Sequence, residues 1–518
     1  MTLPVQRKFV NRRRVLSAAL GTGAALATSG CRWAATGSAD AGGTGVLRIA
    51  QLADIAPKSM LSQNPNDFAL TRLVFDPLTE YDHRTLQPRP ALATAWEWSD
   101  AGRTLTLQLR EDVTFHTGRP FTAEDVAASI HAIQDPSRSS QLATTAALVT
   151  DLSTQGAHRI ALRLSKPAGN LFDLFELMPI VDRETLADLA SGKQMVGTGP
   201  FRFAKWTPGE SVEFTRNPRY WKPGLPHLSG VQIRTIPQLQ SLVASLRTGQ
   251  SHLVPGLSPV DLLGLAGDDR FATTFTDTSD NAWYLGCNLR VAPLDRAEFR
   301  QALAYGIDRA RIRDVVFRGA GTVTSLPWPT SSPAYRADLA AHYAHDPARA
   351  RELLAAAGGR GIGLQLAYNS SLPATGYMAQ LIQYDLGGLG VDIELLPLLG
   401  NDFGTRLSSG KLPALWLNSH GFAQLNPASL VTGAAPFRYT KNTSGFTDPA
   451  YGAAAVQAWT TTGTAARQAY DELSRILLDQ QFVISMVNTG ATMTATTQLH
   501  GLAWTMFDFL VLDQARLG

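Results

Sequence analysis

Strand-like and helix-like segments interleave along the whole chain, and the fold class the sequence predicts is α/β, divided into two or three lobes. Three observations carry that prediction. The chain has 518 residues, more than one hydrophobic core organises. Several segments alternate apolar and polar residues with the period of a half-buried strand. Others, set between them, carry an apolar stripe at helical spacing behind a capping residue.

The first strand is VLRIAQL at 46–52. TLTLQLR at 104–110 alternates more strictly: Leu105, Leu107 and Leu109 share one face, and Thr106, Gln108 and Arg110 the other. PFTAEDVAASIHAI at 120–133 reads as a helix. Thr122 caps it, Asp125 is the short form of a capping-box acid, and Val126, Ile130 and Ile133 form one stripe. PLDRAEFRQALAYGID at 293–308 is a second helix. HDPARARELLAAAGG at 345–359 is a third, with Asp346 as N-cap, Pro347 in the first turn and Gly358 as the stop. GLQLAYN at 363–369, VDIELLPL at 391–398 and ALWLN at 414–418 read as strands.

The N-terminal stretch RRRVLSAALGTGAALATSGC, 12–31, is too short and too diluted by Ser, Thr and Gly to span about 30 Å of hydrocarbon. Basic residues, an apolar run and a small-residue end follow in the order of an export signal. NRRRVL at 11–16 resembles a twin-arginine signal, and TSGC at 28–31 resembles a bacterial lipobox with Thr28 in place of the usual Leu. The expectation is a signal at 1–30, lipidation of Cys31, a flexible tether at 31–45 reaching about 20 Å, and a folded body from Val46 onward. That places the body outside the cytoplasmic membrane, anchored by lipid.

Of the 46 Lys and Arg, five precede Cys31, which leaves 41 against 43 Asp and Glu, a net charge of −2. No basic footprint for nucleic acid is present. With Cys31 lipidated, Cys287 stands alone and reads as a buried small apolar residue. No G-x-S-x-G, phosphate-cradling loop or H-E-x-x-H occurs, and Glu124-Asp125 is explained as a helix start, so no catalytic residue and no cofactor are expected. His342 and His345 have H-x-x-H spacing on an expected short helix but lack a third ligand, so no metal site is expected either.

Four long blocks, in order, carry a family resemblance. The first is LVFDPLTEYDHRTLQPRPALATAWEWSDAGRTLTLQLREDVTFHTGRPFTAEDVAASI. The others are VGTGPFRFAKWTPGESVEFTRNPRYWKPGLP, APLDRAEFRQALAYGIDRARI and HDPARARELLAAAG. Together they resemble the peptide/nickel class of extracytoplasmic solute-binding proteins, family 5, the ligand receptors of ABC importers. On a physical reading most of these motif residues are structural: Gly118 and Pro120 in a turn, Gly197, Gly199 and Pro200 in a tight turn, Asn217 and Pro218 in another.

The resemblance implies a periplasmic-binding-protein-like fold of two hinged lobes with an extra inserted domain. Lobe I is 46–82 with 196–283 and 490–518, the extra domain 83–195, and lobe II 284–489, with AWYLGCN at 282–288 as the first crossover. It further implies a monomer that closes on a small solute and hands it to permease and ATPase subunits.

In peptide-binding relatives an aspartate after a lobe II strand pairs with the ligand's ammonium. Here it falls at Phe422 or Ala423, and no Asp or Glu occurs from Leu417 to Leu430. A buried ammonium without a counter-charge costs several kcal/mol. Either another carboxylate holds the amine, with Asp67 a candidate whose plainer reading is a solvated loop acid, or the ligand has no free amine there. The expectation is a ligand other than a simple free-amine peptide, or a peptide held through its backbone. The expected cleft residues are Trp283, Tyr284, Trp416, Asn418, His420, Phe422 and Gln424. Oligopeptides or peptide-like compounds lead the expected ligands, ahead of oligosaccharides and metal chelates; a sensing receptor would show the same signals.

Overall fold

The computed structural model describes residues 45–64, 67–83, 85–257, 261–265, 267–276, 281–358, 361–421 and 426–518. The expected signal, Cys31 and the tether up to residue 44 lie outside these, as do Phe422 and Gln424. Among the described residues no helix is long and apolar enough to cross a membrane.

The first strand forms at Val46–Gln51 and runs parallel to Gly230–Thr235 and Leu253–Pro255. With Phe201–Thr207, Ser211–Arg216, Phe271–Phe275 and Thr492–Thr496 these make a seven-stranded sheet. A second sheet orders Thr322–Val323, Val483–Thr489, Asn281–Cys287, Leu415–His420, Ile362–Asn369 and Val391–Leu398. In it the expected strands at 362–369, 391–398 and 415–420 run parallel, linked by helices Pro373–Gly387 and Gly400–Ser409. That is the crossover a parallel pair requires. The third sheet is antiparallel: Ala93–Ser99, Thr104–Leu109, Arg159–Leu164 and Val149–Thr154. Leu105, Leu107 and Leu109 are buried, as their alternation predicts.

The capped helix occupies Ala123–Gln134 and buries Val126, Ile130 and Ile133. Asp125 accepts the Thr122 backbone N–H at 3.0 Å, closing the expected box. The same carboxylate also meets Arg119 at 2.5 Å, and Arg119 meets Asp182 at 2.5 Å. One guanidinium thus ties a turn, a helix start and a later loop together. The helix at Pro347–Ala356 is capped by Asp346, which accepts the Arg349 N–H at 2.9 Å, and Gly358 stops it with φ +67°.

Two expectations change. Gly197 and Gly199 do not have positive φ; they lie against the backbone of Leu73 and Val74, where added Cβ atoms would come within 2.0 and 2.6 Å of carbonyl oxygens. Close approach, not turn geometry, demands glycine there. The short helix before Asp346 ends at Ala340, so His342 and His345 follow it rather than sit on it. His345 faces Asp308 at 3.7 Å. Cys287 is buried and free, its thiol pushed up to about 12 by desolvation.

The chain passes from the first sheet to the second after Phe275, and returns between Thr489 and Thr492. The two crossings lie side by side. Thr276 N–H donates to the Ala491 carbonyl at 2.8 Å, and Ala491 N–H donates to Thr276 Oγ1 at 2.8 Å. A Cβ on Gly490 would come within 1.9 Å of the Thr276 carbonyl oxygen.

Replacing Asp125 with Ala removes one carboxylate from Arg119 and the acid half of the capping box from its helix together. Asp125→Ala is expected to lower unfolding free energy by about 3 kcal/mol in a denaturant titration, against a change under about 1 kcal/mol for the exposed neighbour in Glu124→Ala.

Candidate ligand-binding site

The antiparallel pairing of Asn281–Cys287 with Leu415–His420 sets Tyr284 opposite Asn418, Ala282 opposite His420 and Gly286 opposite Trp416. Side chains alternate along a strand, so Tyr284, Trp416, Asn418 and His420 share one face. Tyr284 and Trp416 are fully buried there, and Asn418 is 8% exposed. The indole of Trp416 lies over Gly286, where a Cβ would sit 2.1 Å from the ring. The Tyr284 hydroxyl lies 2.9 Å from His420 Nδ1, and Phe437 presents its ring to both, with centroids 5.3 and 6.3 Å away. His420 is half-buried; desolvation lowers its pKa to about 4, so its imidazole is neutral at physiological pH.

Trp283 points to the opposite face. Its indole N–H donates to Thr489 Oγ1 at 2.8 Å and its ring meets Phe317 at 5.3 Å. Of the five expected residues that are described, the structure therefore gathers four and separates Trp283 from them. Period-two alternation was the available signal, because adjacent strand residues cannot line one pocket.

A second polar group was not singled out from the sequence. Helix Leu171–Leu177 carries Asp173 and Glu176, both buried. Asp173 Oδ1 accepts the Tyr81 hydroxyl at 2.7 Å, and Oδ2 accepts the Ser429 hydroxyl. Nearby, Asn170 Nδ2 donates to Thr145 Oγ1 at 2.9 Å and to Ser429 Oγ at 3.1 Å, while Trp459 Nε1 donates to Asn170 Oδ1 at 2.8 Å. Tyr81, Thr145, Ser429 and Trp459 thus meet around Asp173 and Asn170, and Thr145, Asn170, Asp173 and Ser429 line one narrow crevice. Glu176 accepts the Tyr81 backbone N–H at 2.7 Å and stands 3.9 Å from Arg72. Burial raises both acids, Asp173 to about 6 and Glu176 to about 8, with Arg72 opposing the shift at Glu176. The usable sequence signal was two acids at i and i+3 inside the otherwise apolar LFDLFEL.

Asp67 corrects an expectation. It is 1% exposed, not a solvated loop acid. Its Oδ1 accepts the Ala56 N–H at 2.8 Å, its Oδ2 has no hydrogen-bond partner, and burial raises its pKa to about 7. Among the described residues no group of three or more His, Cys, Asp or Glu is placed to hold a metal ion.

Residues 87–437 match the sequence model of Bacterial extracellular solute-binding proteins, family 5 Middle. Heme-binding protein A of Haemophilus influenzae is 28% identical over 378 residues, covering 67% of this chain and 68% of that protein. Di/tripeptide-binding protein 1 of Pseudomonas aeruginosa is 26% identical over 387 residues, covering 68% and 71%. The dipeptide-binding protein of a Pseudoalteromonas species, solved with Met-Leu, superposes with a TM-score of 0.82 at 21% identity, covering 92% of this chain and all of that one, a likeness of fold. The family match spans more than half of the chain, and with it the two-lobe α/β architecture is accounted for: this protein belongs to family 5 of the bacterial extracellular solute-binding proteins, which are ligand receptors and not enzymes.

Proposed function

We propose that this protein captures an oligopeptide or peptide-like compound between its lobes and delivers it to an ABC permease while tethered outside the cytoplasmic membrane through lipid on Cys31. The observation that carries the reading is the pair of crossings at Thr276 and Gly490–Ala491, hydrogen-bonded side by side between two separate sheets. Two adjacent crossings can bend together, and a ligand touching both lobes favours the closed arrangement by its differential contacts. Strand membership supports dividing the chain as lobe I at 46–82, 196–283 and 490–518, an extra domain at 83–195, and lobe II at 284–489, except that Asn281–Trp283 pair within the second sheet and so go with lobe II. The hairpin of Thr79–Tyr81 with Pro88–Pro90 straddles the first of those boundaries.

Within the site, His420 and Asn418 form the edge that meets the ligand, with Tyr284 and Trp416 as their buried support. A Tyr284 hydroxyl donating into Nδ1 leaves the Nε2–H of His420 free to donate to a ligand carbonyl or carboxylate. The similarity to the di/tripeptide-binding protein supports a peptide ligand. A monomer suffices for this work.

Native mass spectrometry of the exported, processed protein is expected to show a bound small compound that leaves on unfolding, and calorimetry with a peptide library to find binders. A chain that neither carries nor binds any small solute would overturn the receptor reading. His420→Ala is expected to weaken binding about tenfold, equal to about 1.4 kcal/mol, with the unfolding midpoint held near wild type. Unchanged affinity would remove His420 from the site. Cys31→Ala is expected to move the protein from the membrane fraction to the soluble exported fraction; retention with the membrane would remove the lipid anchor from the proposal.

A further inference from the structure

Helix Leu171–Leu177 and the turn before it touch both lobes. One side is tied to lobe I. The Tyr81 hydroxyl donates to Asp173 Oδ1 at 2.7 Å and the Tyr81 N–H to Glu176 Oε2 at 2.7 Å. The Leu78 N–H donates to the Phe175 carbonyl at 3.1 Å, and Arg72 Nη2 to the Glu176 carbonyl at 2.6 Å. The other side meets helices Pro427–Gly433 and Pro449–Thr460 of lobe II. There the Gly169 N–H donates to the Trp459 carbonyl at 2.9 Å, and Trp459 Nε1 donates to Asn170 Oδ1 at 2.8 Å. Asn170 Nδ2 donates to Ser429 Oγ at 3.1 Å, and the Ser429 hydroxyl donates to Asp173 Oδ2. At the rim, Lys166 Nζ stands 4.4 Å from the centre of the Trp459 ring.

This seam is tightly shut. Asn170, Asp173, Ser429 and Trp459 are all buried. A Cβ on Gly169 would come within 2.9 Å of Asn426 Nδ2, and one on Gly433 within 3.0 Å of the Gln141 carbonyl oxygen. Asn170 spends its whole amide here, since its Nδ2 also donates to Thr145 Oγ1 at 2.9 Å. A lighter contact, the Tyr377 hydroxyl donating to Asp261 Oδ1 at 2.9 Å, also spans lobe I and lobe II.

The two sides of the helix differ in what happens when the lobes part. Its bonds to Arg72, Leu78 and Tyr81 grip it along its length, so it travels with lobe I, and the seam at Ser429 and Trp459 is the one that opens. The bonds across that seam are polar, so water replaces each of them on opening. Each then shifts the ratio of closed to open forms by a factor of about two to ten. Neither His420 nor Asn418 takes part.

Resting on the receptor reading and its lobe division, we infer that Asn170, Asp173, Ser429 and Trp459 form a clasp between the extra domain and lobe II, which keeps the closed form populated alongside the open one. The four are positioning residues: they act on affinity without touching the solute. An apparent dissociation constant is the intrinsic one divided by the fraction of receptor in the competent form. Loosening the clasp lowers that fraction, and so weakens every solute by one common factor. Discrimination among solutes stays with the His420 face.

The test uses the exported, processed chain, small-angle scattering without added solute, and calorimetry with every di- to pentapeptide that binds wild type. Ser429→Ala and Trp459→Phe are each expected to weaken all binders by the same factor, about threefold to tenfold, and to raise the radius of gyration, with far-UV circular dichroism unchanged. Lys166→Ala, at the rim, is expected to move both readouts the same way with a factor of about two, and decides alone if the two buried variants fail to fold. Unchanged affinities, losses that differ from peptide to peptide, or radii equal to wild type overturn the clasp and leave the receptor reading intact. If no peptide binds and no compound copurifies, the receptor reading falls, and the radii alone decide whether the clasp holds the lobes.

Discussion

The arrangement turns on one close approach, the backbone of Gly490 against that of Thr276. No side chain fits between them, since a Cβ at 490 would fall within 1.9 Å of the Thr276 carbonyl oxygen. The two crossing segments therefore lie close enough to exchange hydrogen bonds through Thr276 and Ala491. Each chain passage between sheets is braced by the other. Two bodies joined at a pair of adjacent passages can bend there together. The second sheet starts and ends at these passages: Asn281–Cys287 leaves one and Val483–Thr489 enters the other, and the two strands pair directly.

The signature blocks do a different job. Asp76 of the first block accepts Thr198 Oγ1 at 2.8 Å, the Tyr220 hydroxyl at 3.0 Å and Trp221 Nε1 at 2.9 Å, all from the second block. Asn217 adds a bond from Nδ2 to the Gly199 carbonyl at 3.0 Å. Arg119, with Asp125 and Asp182, ties the capped helix Ala123–Gln134 to the loop around residue 182. Buried polar groups satisfied this thoroughly are costly to alter, because losing one partner strands another. The blocks thus identify the architecture. Long-range polar contacts also form beyond the blocks: Asp173, outside them, touches Tyr81 and Ser429, 92 and 256 positions away in sequence.

Much of this was legible in the chain itself. Alternation located the strands at 46–51, 104–109, 362–369, 391–398 and 415–420, and caps located the helices behind Thr122 and Asp346, because both signals depend on neighbours within one turn or one pleat. The family resemblance was legible for the same reason: its blocks are contiguous. The candidate site was legible only in part. Composition marked the aromatic residues of two strands, yet Trp283 turned to the far face and Tyr284 and Trp416 went into the core.

The sequence by itself determined which residues share a face in the strands it marked, where the helices behind Thr122 and Asp346 begin, and that no acid stands between Leu417 and Leu430. Only the tertiary structure decided what covers each face. Asp67 and Asp173 look in sequence like ordinary acids, one on a loop and one on a short helix; they became buried acceptors because segments hundreds of residues away were folded over them. Desolvation depends on all the atoms around a group, and most of those atoms come from distant parts of the chain.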